Sequence, residues 1–261
     1  MMKKAIIYLL IFMGIQLVGG ALVNTLWMLL SKSSDMSPAQ LITVTLVTSI
    51  VTIVVFLWMR WTEVSPTWLR TRPWLVLLWS VVAALGAVIP SAWLQEQMPE
   101  LPNWVENEFD MILQDRWGYM AIGLLAPFTE ELVFRGAILR RLLSSSRLPV
   151  WGAIAVSALF FSLVHMNPAQ MPHAFVIGLL LGWMYWRTGS ILPGVAYHWA
   201  NNSVAYVMYN IYPDPDLKVA DLFGGSQQHA LMAVGFSLLI LLPALYQLHL
   251  WMRRADEKRS L

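Results

Sequence analysis

Residues 5–30 read AIIYLLIFMGIQLVGGALVNTLWMLL, an unbroken run without Asp, Glu, Lys, Arg or His. A helix needs roughly 20 mostly apolar residues to cross the hydrocarbon core of a bilayer. Met1-Met2-Lys3-Lys4 ahead of the run gives it the basic start of a secretory signal. The run is longer than the apolar region of a signal peptide, so it is expected to be a first transmembrane helix. Working outward, residues 38–59, 73–94 and 229–251 are equally free of Asp, Glu, Lys and Arg. Residues 117–143 form a further apolar run interrupted by Glu130, Glu131 and Arg135, while 149–166, 171–186 and 191–211 are short and nearly abut. These runs predict an all-α fold: one polytopic transmembrane domain over residues 1–261 with about eight crossings.

The composition agrees. Of the 261 residues, 58% are hydrophobic and 12% charged, against roughly 25% charged in a soluble domain. The bilayer is thus the protein's partner, and the net charge of +2 gives no sign of nucleic-acid binding. The chain has no cysteine, which excludes disulfides, thiolate metal sites and a thiol nucleophile. The loops carry the orientation. With a cytoplasmic N-terminus, Lys3, Lys4, Arg60, Arg70, Arg72, Arg140, Arg141, Arg147, Arg187, Arg253, Arg254, Lys258 and Arg259 fall inside. Only Lys32, Arg116 and Lys218 fall outside, and Arg135 is within a span. Thirteen against three is a strong positive-inside bias, and it predicts both termini inside. Most of the acids gather in the other loops, where Val105, Phe109, Ile112 and Leu113 recur at helical spacing, as in a short surface-lying amphipathic helix. Trp27, Trp58, Trp61, Trp74, Trp117, Trp151, Trp186 and Trp251 stand at span ends, where interfacial anchors belong.

A charge at bilayer depth costs at least about 2.5–3.5 kcal/mol on insertion scales, so its presence marks a functional or structural device. The fourth run contains Ala126-Pro127-Phe128-Thr129-Glu130-Glu131-Leu132-Val133-Phe134-Arg135-Gly136. Glu131 and Arg135 are spaced for a helical ion pair with the acid on the favoured, N-terminal side. Glu130 points about 100° away from Glu131 and faces a different neighbour. Taken alone, the three could be a buried polar clamp. Two further sites add to them: Phe161-Ser162-Leu163-Val164-His165, and His198-Trp199-Ala200-Asn201-Asn202, in which His198 and Asn202 share a helical face.

Those groups have a chemistry. A carboxylate in an apolar pocket can serve as a general base near neutral pH, an imidazole can hold and polarise water, and a His–Asn edge can donate to an oxyanion. Glu130, His165, His198 and Asn202 supply these roles for hydrolysis of an amide bond. The same atoms also suit a metal: one Glu and two His form a known catalytic zinc set, although the helical His-Glu-x-x-His signature is absent. Counted from Pro149, His165 lies about 24 Å along its span, while Glu130 and His198 are nearer mid-depth. His173, His229 and His249 match no motif, and His173 reads as a polar helix end.

In their order, Glu130-Glu131-x-x-x-Arg135, Phe161-x-x-x-His165 and His198-x-x-x-Asn202 resemble the CPBP family of intramembrane proteases, which includes type II CAAX prenyl endopeptidases and lysostaphin-resistance-like proteins. The resemblance runs from about Ala126 to Asn202, takes in Thr188-Gly189-Ser190-Ile191, and suggests a catalytic core at about 117–211. It implies a helix bundle with its site in an internal cavity, Glu130 and His165 activating water, His198 and Asn202 stabilising the oxyanion, and Glu131 and Arg135 in support. It leaves metal open: no cofactor is required on the metal-free reading, and a divalent ion such as zinc, if present, would be held by Glu130, His165 and His198. The partner is then a membrane-associated peptide or protein substrate, and the compact, lysine-led chain suits a multi-pass protein of a bacterial inner membrane. Two other functions use the same features: a non-enzymatic immunity or scaffold protein of the same fold, and a transporter whose charges line a path.

Overall fold

Pro38 supplies a ready-made helical φ at the first position of the second apolar run, and the Ser37 hydroxyl accepts the Gln40 N–H at 3.2 Å. Ser226 caps the last run likewise, accepting the His229 N–H at 3.3 Å. The computed structural model describes residues 2–33, 35–65, 74–146, 148–214 and 217–252. Its helices are α1 (Met2–Ser31), α2 (Pro38–Trp58), α3 (Trp74–Glu96), α4 (Glu106–Gln114), α5 (119–143), α6 (Val150–Leu163), α7 (Met171–Thr188), α8 (Leu192–Ile211) and α9 (Gln227–Trp251). No strand occurs among the described residues, so the chain is all-α as expected.

Every apolar run is occupied by a helix, but only α1, α2, α3 and α9 are long and apolar enough to cross a membrane by length and composition. At about 1.5 Å per residue, the 14 residues of α6 rise roughly 21 Å, short of the ~30 Å core. Arg70, Arg72, Arg147, Arg253, Arg254, Lys258 and Arg259, which carry much of the charge asymmetry, lie outside the described residues. α4 is the amphipathic segment, with Ile112 and Leu113 buried. Leu22, Val54, Leu78 and Leu239 on the four long helices are exposed, as a lipid-facing surface requires.

α5 is buried around its whole circumference over Leu132, Val133, Phe134, Ala137, Ile138 and Leu139. A helix apolar on every side belongs inside a bundle, and α5 packs against α1, α2, α6, α7 and α8, while α3 pairs with α9. α5 is irregular: π-helical stretches Tyr119–Leu125 and Leu132–Leu139 flank the α-helical Ala126–Glu131. The Ala126 N–H donates to the Ala121 carbonyl, five residues back. The next bond of that series would need an N–H on residue 127, and Pro127 has none. The Ile122 carbonyl is thereby left over, and Asn202 Nδ2 donates to it at 3.1 Å. Thr62 Oγ1 donates to the Leu132 carbonyl and Ser157 Oγ to the Phe134 carbonyl, each at 3.0 Å. Irregular backbone at membrane depth survives where neighbours satisfy its polar groups.

The turn from α7 to α8 explains Thr188-Gly189-Ser190-Ile191. Gly189 takes φ 66°, the left-handed conformation that suits glycine, and its N–H closes α7 on the Tyr185 carbonyl at 2.7 Å. Ser190 Oγ then accepts the Leu192 N–H at 3.1 Å and opens α8.

Candidate active site

Consecutive positions on a helix diverge by about 100°, and Glu130 and Glu131 meet opposite surroundings. Glu131 is fully buried, whereas the Glu130 side chain is 23% exposed. Glu131 Oε1 accepts from a terminal nitrogen of Arg135, one turn on, at 2.8 Å. Arg135 is itself buried; its other terminal nitrogen donates to the Gly178 carbonyl at 3.2 Å, and its Cζ stands 4.5 Å from the centre of the Phe161 ring. This places a guanidinium over the negative face of an aromatic ring in a desolvated site.

His198 lies between the two acids. Its Nδ1 is 3.3 Å from Glu131 Oε1 and its Nε2 is 3.6 Å from Glu130 Oε2. An ionised carboxylate only accepts, so Nδ1 carries a proton. α8 comes this close because residue 194 is glycine: a Cβ there would stand 2.5 Å from Glu131 Oε2.

Phe161 joins the remaining imidazole to the group. The His165 ring meets Phe161 edge-on at 5.0 Å and the His198 ring does so at 5.8 Å. His165 Nδ1 donates to the Phe161 carbonyl at 2.8 Å. A carbonyl only accepts, which leaves Nε2 as the free acceptor of the neutral ring. His165 is past the end of α6, in a turn where Met166 has φ 49°. Two residues on, buried Asn167 donates to Asn103 Oδ1 at 2.8 Å and accepts the Trp104 N–H at 3.1 Å. The turn bearing His165 is thus pinned to the loop between α3 and α4.

Of the residues singled out in the sequence, Glu130, Glu131, Arg135 and His198 are in direct contact, and His165 joins them through Phe161. Asn202 is one turn along α8 and holds the Ile122 carbonyl. Among the described residues no three His, Asp or Glu side chains gather closely enough to hold a metal ion, Glu130, His165 and His198 included.

Three sets of contacts around the site are not local in the sequence. Phe161 was only a motif letter, yet it touches Arg135, His165 and His198. His173 is the third residue of α7, a polar helix end as expected, and its Nδ1 is 3.5 Å from Gln95 Nε2. The polar face of α8 also forms a seam. Tyr119 Oη accepts from Trp199 Nε1 at 3.0 Å and pairs with Ser203 Oγ at 3.0 Å, while Asn210 donates to the Leu113 carbonyl at 3.0 Å. The intervals 119–199 and 119–203 offer no local spacing from which these pairs could be read.

Residues 113–204 match the family model described as Type II CAAX prenyl endopeptidase Rce1-like. The matched segment contains Glu130, Glu131, Arg135, Phe161, His165, His198 and Asn202. No curated protein and no solved structure matches the chain. Over residues 113–204 the chain is therefore similar to the type II CAAX prenyl endopeptidases, in agreement with the resemblance carried by its three motifs.

Proposed function

We propose that this protein is an intramembrane endopeptidase that hydrolyses a peptide bond of a membrane-associated peptide or protein. Its 261 residues form one unit of eight crossings with both termini cytoplasmic, its catalytic core spans about residues 117–211, and it resides in a bacterial inner membrane. The observation that carries this reading is the division of labour between neighbouring acids. Glu131 is neutralised by Arg135, while the half-buried Glu130 keeps its carboxylate 3.6 Å from His198 Nε2.

Glu130, assisted by the free Nε2 of His165, takes a proton from water as its oxygen attacks the scissile carbonyl carbon. The developing oxyanion accepts from His198 Nε2–H and from an Asn202 amide hydrogen. Asn202 has two such hydrogens and spends one on Ile122. With Nδ1–H on Glu131 and Nε2–H toward the site, His198 is an imidazolium. Glu130, Glu131, Arg135 and His198 then sum to zero charge, which suits burial. The proton held by Glu130 passes to the leaving amine as the C–N bond breaks.

The test is cleavage of quenched fluorogenic peptides, with and without an isoprenyl group, by the purified protein in proteoliposomes. Glu130→Gln should lower the rate by at least about a hundredfold, in the range general acid–base catalysis supplies, and keep a monodisperse elution profile. Undiminished cleavage by that variant overturns the mechanism. Cellular complementation by Glu130→Ala would favour the immunity or scaffold function. Cleavage that a strong chelator abolishes and zinc restores would favour a metal-bound water.

A further inference from the structure

Among the residues of the candidate active site, His165 stands outside a helix. α6 ends at Leu163. Beyond it the His165 N–H reaches the Ser162 carbonyl at 3.3 Å and the Met166 N–H the Leu163 carbonyl at 3.1 Å, tighter turns than an α-helix makes. Met166 then takes φ 49°, a left-handed conformation that a residue with a side chain seldom adopts and keeps only where its surroundings fix it. Asn167 supplies that fixing. It is fully buried, although Met166 before it is 51% exposed. The Trp104 N–H can only donate, which turns Asn167 Oδ1 toward Trp104 at 3.1 Å and Nδ2 toward Asn103 Oδ1 at 2.8 Å. The Asn167 carbonyl accepts the N–H groups of Gln170 and Met171 at 3.0 and 3.2 Å, at the start of α7, and the Ala169 N–H donates to the Pro102 carbonyl at 3.2 Å. One residue thus joins the end of α6, the start of α7 and the loop between α3 and α4.

We propose that Asn167, through its bonds to Asn103 and Trp104, is a positioning residue that sets where the His165 ring stands relative to Glu130, so that the loop between α3 and α4 is part of the catalytic apparatus. The proposal rests on the endopeptidase reading above. His165 is held from two sides. Its Nδ1 donates to the Phe161 carbonyl at 2.8 Å, which fixes the ring against α6. Its backbone is held from the other side by Asn167, two residues on. Without that second hold the turn swings about the end of α6, and the acceptor Nε2 moves with it. A misplacement of about 1 Å can cost on the order of a hundredfold in rate. An aliphatic side chain at position 167 would fill the same space, but it would leave the Trp104 N–H without its acceptor and the turn without its anchor. A buried amide needs partners, and both come here from a segment 63 and 64 residues away.

The test uses the full-length protein in proteoliposomes and the same fluorogenic peptides. Asn167→Ala and Asn103→Ala should each lower kcat about tenfold or more and leave KM close to the parent's, because they displace a catalytic group and no binding surface. Asn103 is on an exposed loop, so its variants fold even where a cavity at position 167 prevents folding. Asn103→Asp keeps an oxygen that accepts from Asn167 Nδ2 and should retain most of the rate. With His165→Ala already in place, adding Asn167→Ala should cost nothing further; a full loss there would mean that Asn167 serves the fold rather than His165, and overturns the proposal. The ring itself is read without turnover, from the nitrogen NMR spectrum of isotopically labelled histidine, with His165 assigned by the signal that His165→Gln removes. The parent should show the Nδ1–H tautomer held by Phe161, and Asn167→Ala should shift it toward a mixture with Nε2–H; an unchanged tautomer overturns the proposal. A shifted tautomer in a protein without Glu130-dependent cleavage would remove the endopeptidase reading and leave Asn167 as the residue that positions His165. Glu130-dependent cleavage at the parental rate in both alanine variants would keep that reading and remove the proposal.

Discussion

Replacing Arg135 by Met is the most direct measure of what keeps an ionised pair inside this bundle. Methionine retains the unbranched stem and removes the guanidinium. The structure assigns that group three contacts: Glu131 at 2.8 Å, the Gly178 carbonyl at 3.2 Å and the Phe161 ring at 4.5 Å. Both charged partners are buried, at 1% and 0% exposure, so solvent cannot take over when one is lost. Removing one member of a buried pair typically costs 3–5 kcal/mol, because the other remains buried and uncompensated. At roughly 2–4 °C per kcal/mol for a chain of this size, Tm should fall by about 6–20 °C. Removing both charges together, as Glu131→Gln with Arg135→Met, should recover most of the loss. Heating the detergent-solubilised protein and following the intrinsic fluorescence of its 14 tryptophans reads all three forms. A wild-type Tm for the single variant, or a double variant no better than the single, would refute the argument that Arg135 neutralises Glu131.

Two further substitutions probe how the site is positioned. Phe161→Leu removes the ring that both imidazoles meet edge-on; peptide cleavage should fall tenfold or more, since small displacements of catalytic groups are costly, while Tm drops by only a few degrees. Gly194→Ala puts a methyl group 2.5 Å from Glu131 Oε2 and should destabilise the protein by about 1–3 kcal/mol, the usual range for overpacking; an unchanged thermal transition would mean that α8 has room to retreat.

The architecture was legible in the sequence wherever one solvent dictated it. The run 5–30 could only suit hydrocarbon, and it is a helix throughout. The number of crossings was harder, because α6, α7 and α8 are short or polar and their burial is supplied by neighbouring helices, which no local window reports. The acid pair and its arginine were readable because an i,i+4 interval is a local geometric fact, and the 2.8 Å contact follows from it. The sandwiching of His198 between two carboxylates was not, since it depends on how α8 meets α5 across 67 residues. Asn202 shows the same limit from the other side. Its spacing from His198 was visible, but its bond to Ile122 follows from a carbonyl that Pro127 leaves unpaired on another helix. His173 had no partner in its own vicinity that would have marked it.

The wide turns of residues 132–139 have a consequence for the chain's arithmetic. A π-bulge within a helix amounts to one residue more than regular winding would hold, and each residue of an α-helix advances the azimuth by about 100°. The surplus therefore sets the phase between the acid pair upstream and Arg140 downstream, which pairs with Glu63, the neighbour of the Thr62 that clasps the Leu132 carbonyl. Deleting one residue there would leave every remaining side chain chemically intact and turn Arg140 away from its acid. Helix length in this stretch is thus as much a determinant of the site's geometry as the identity of any residue it carries.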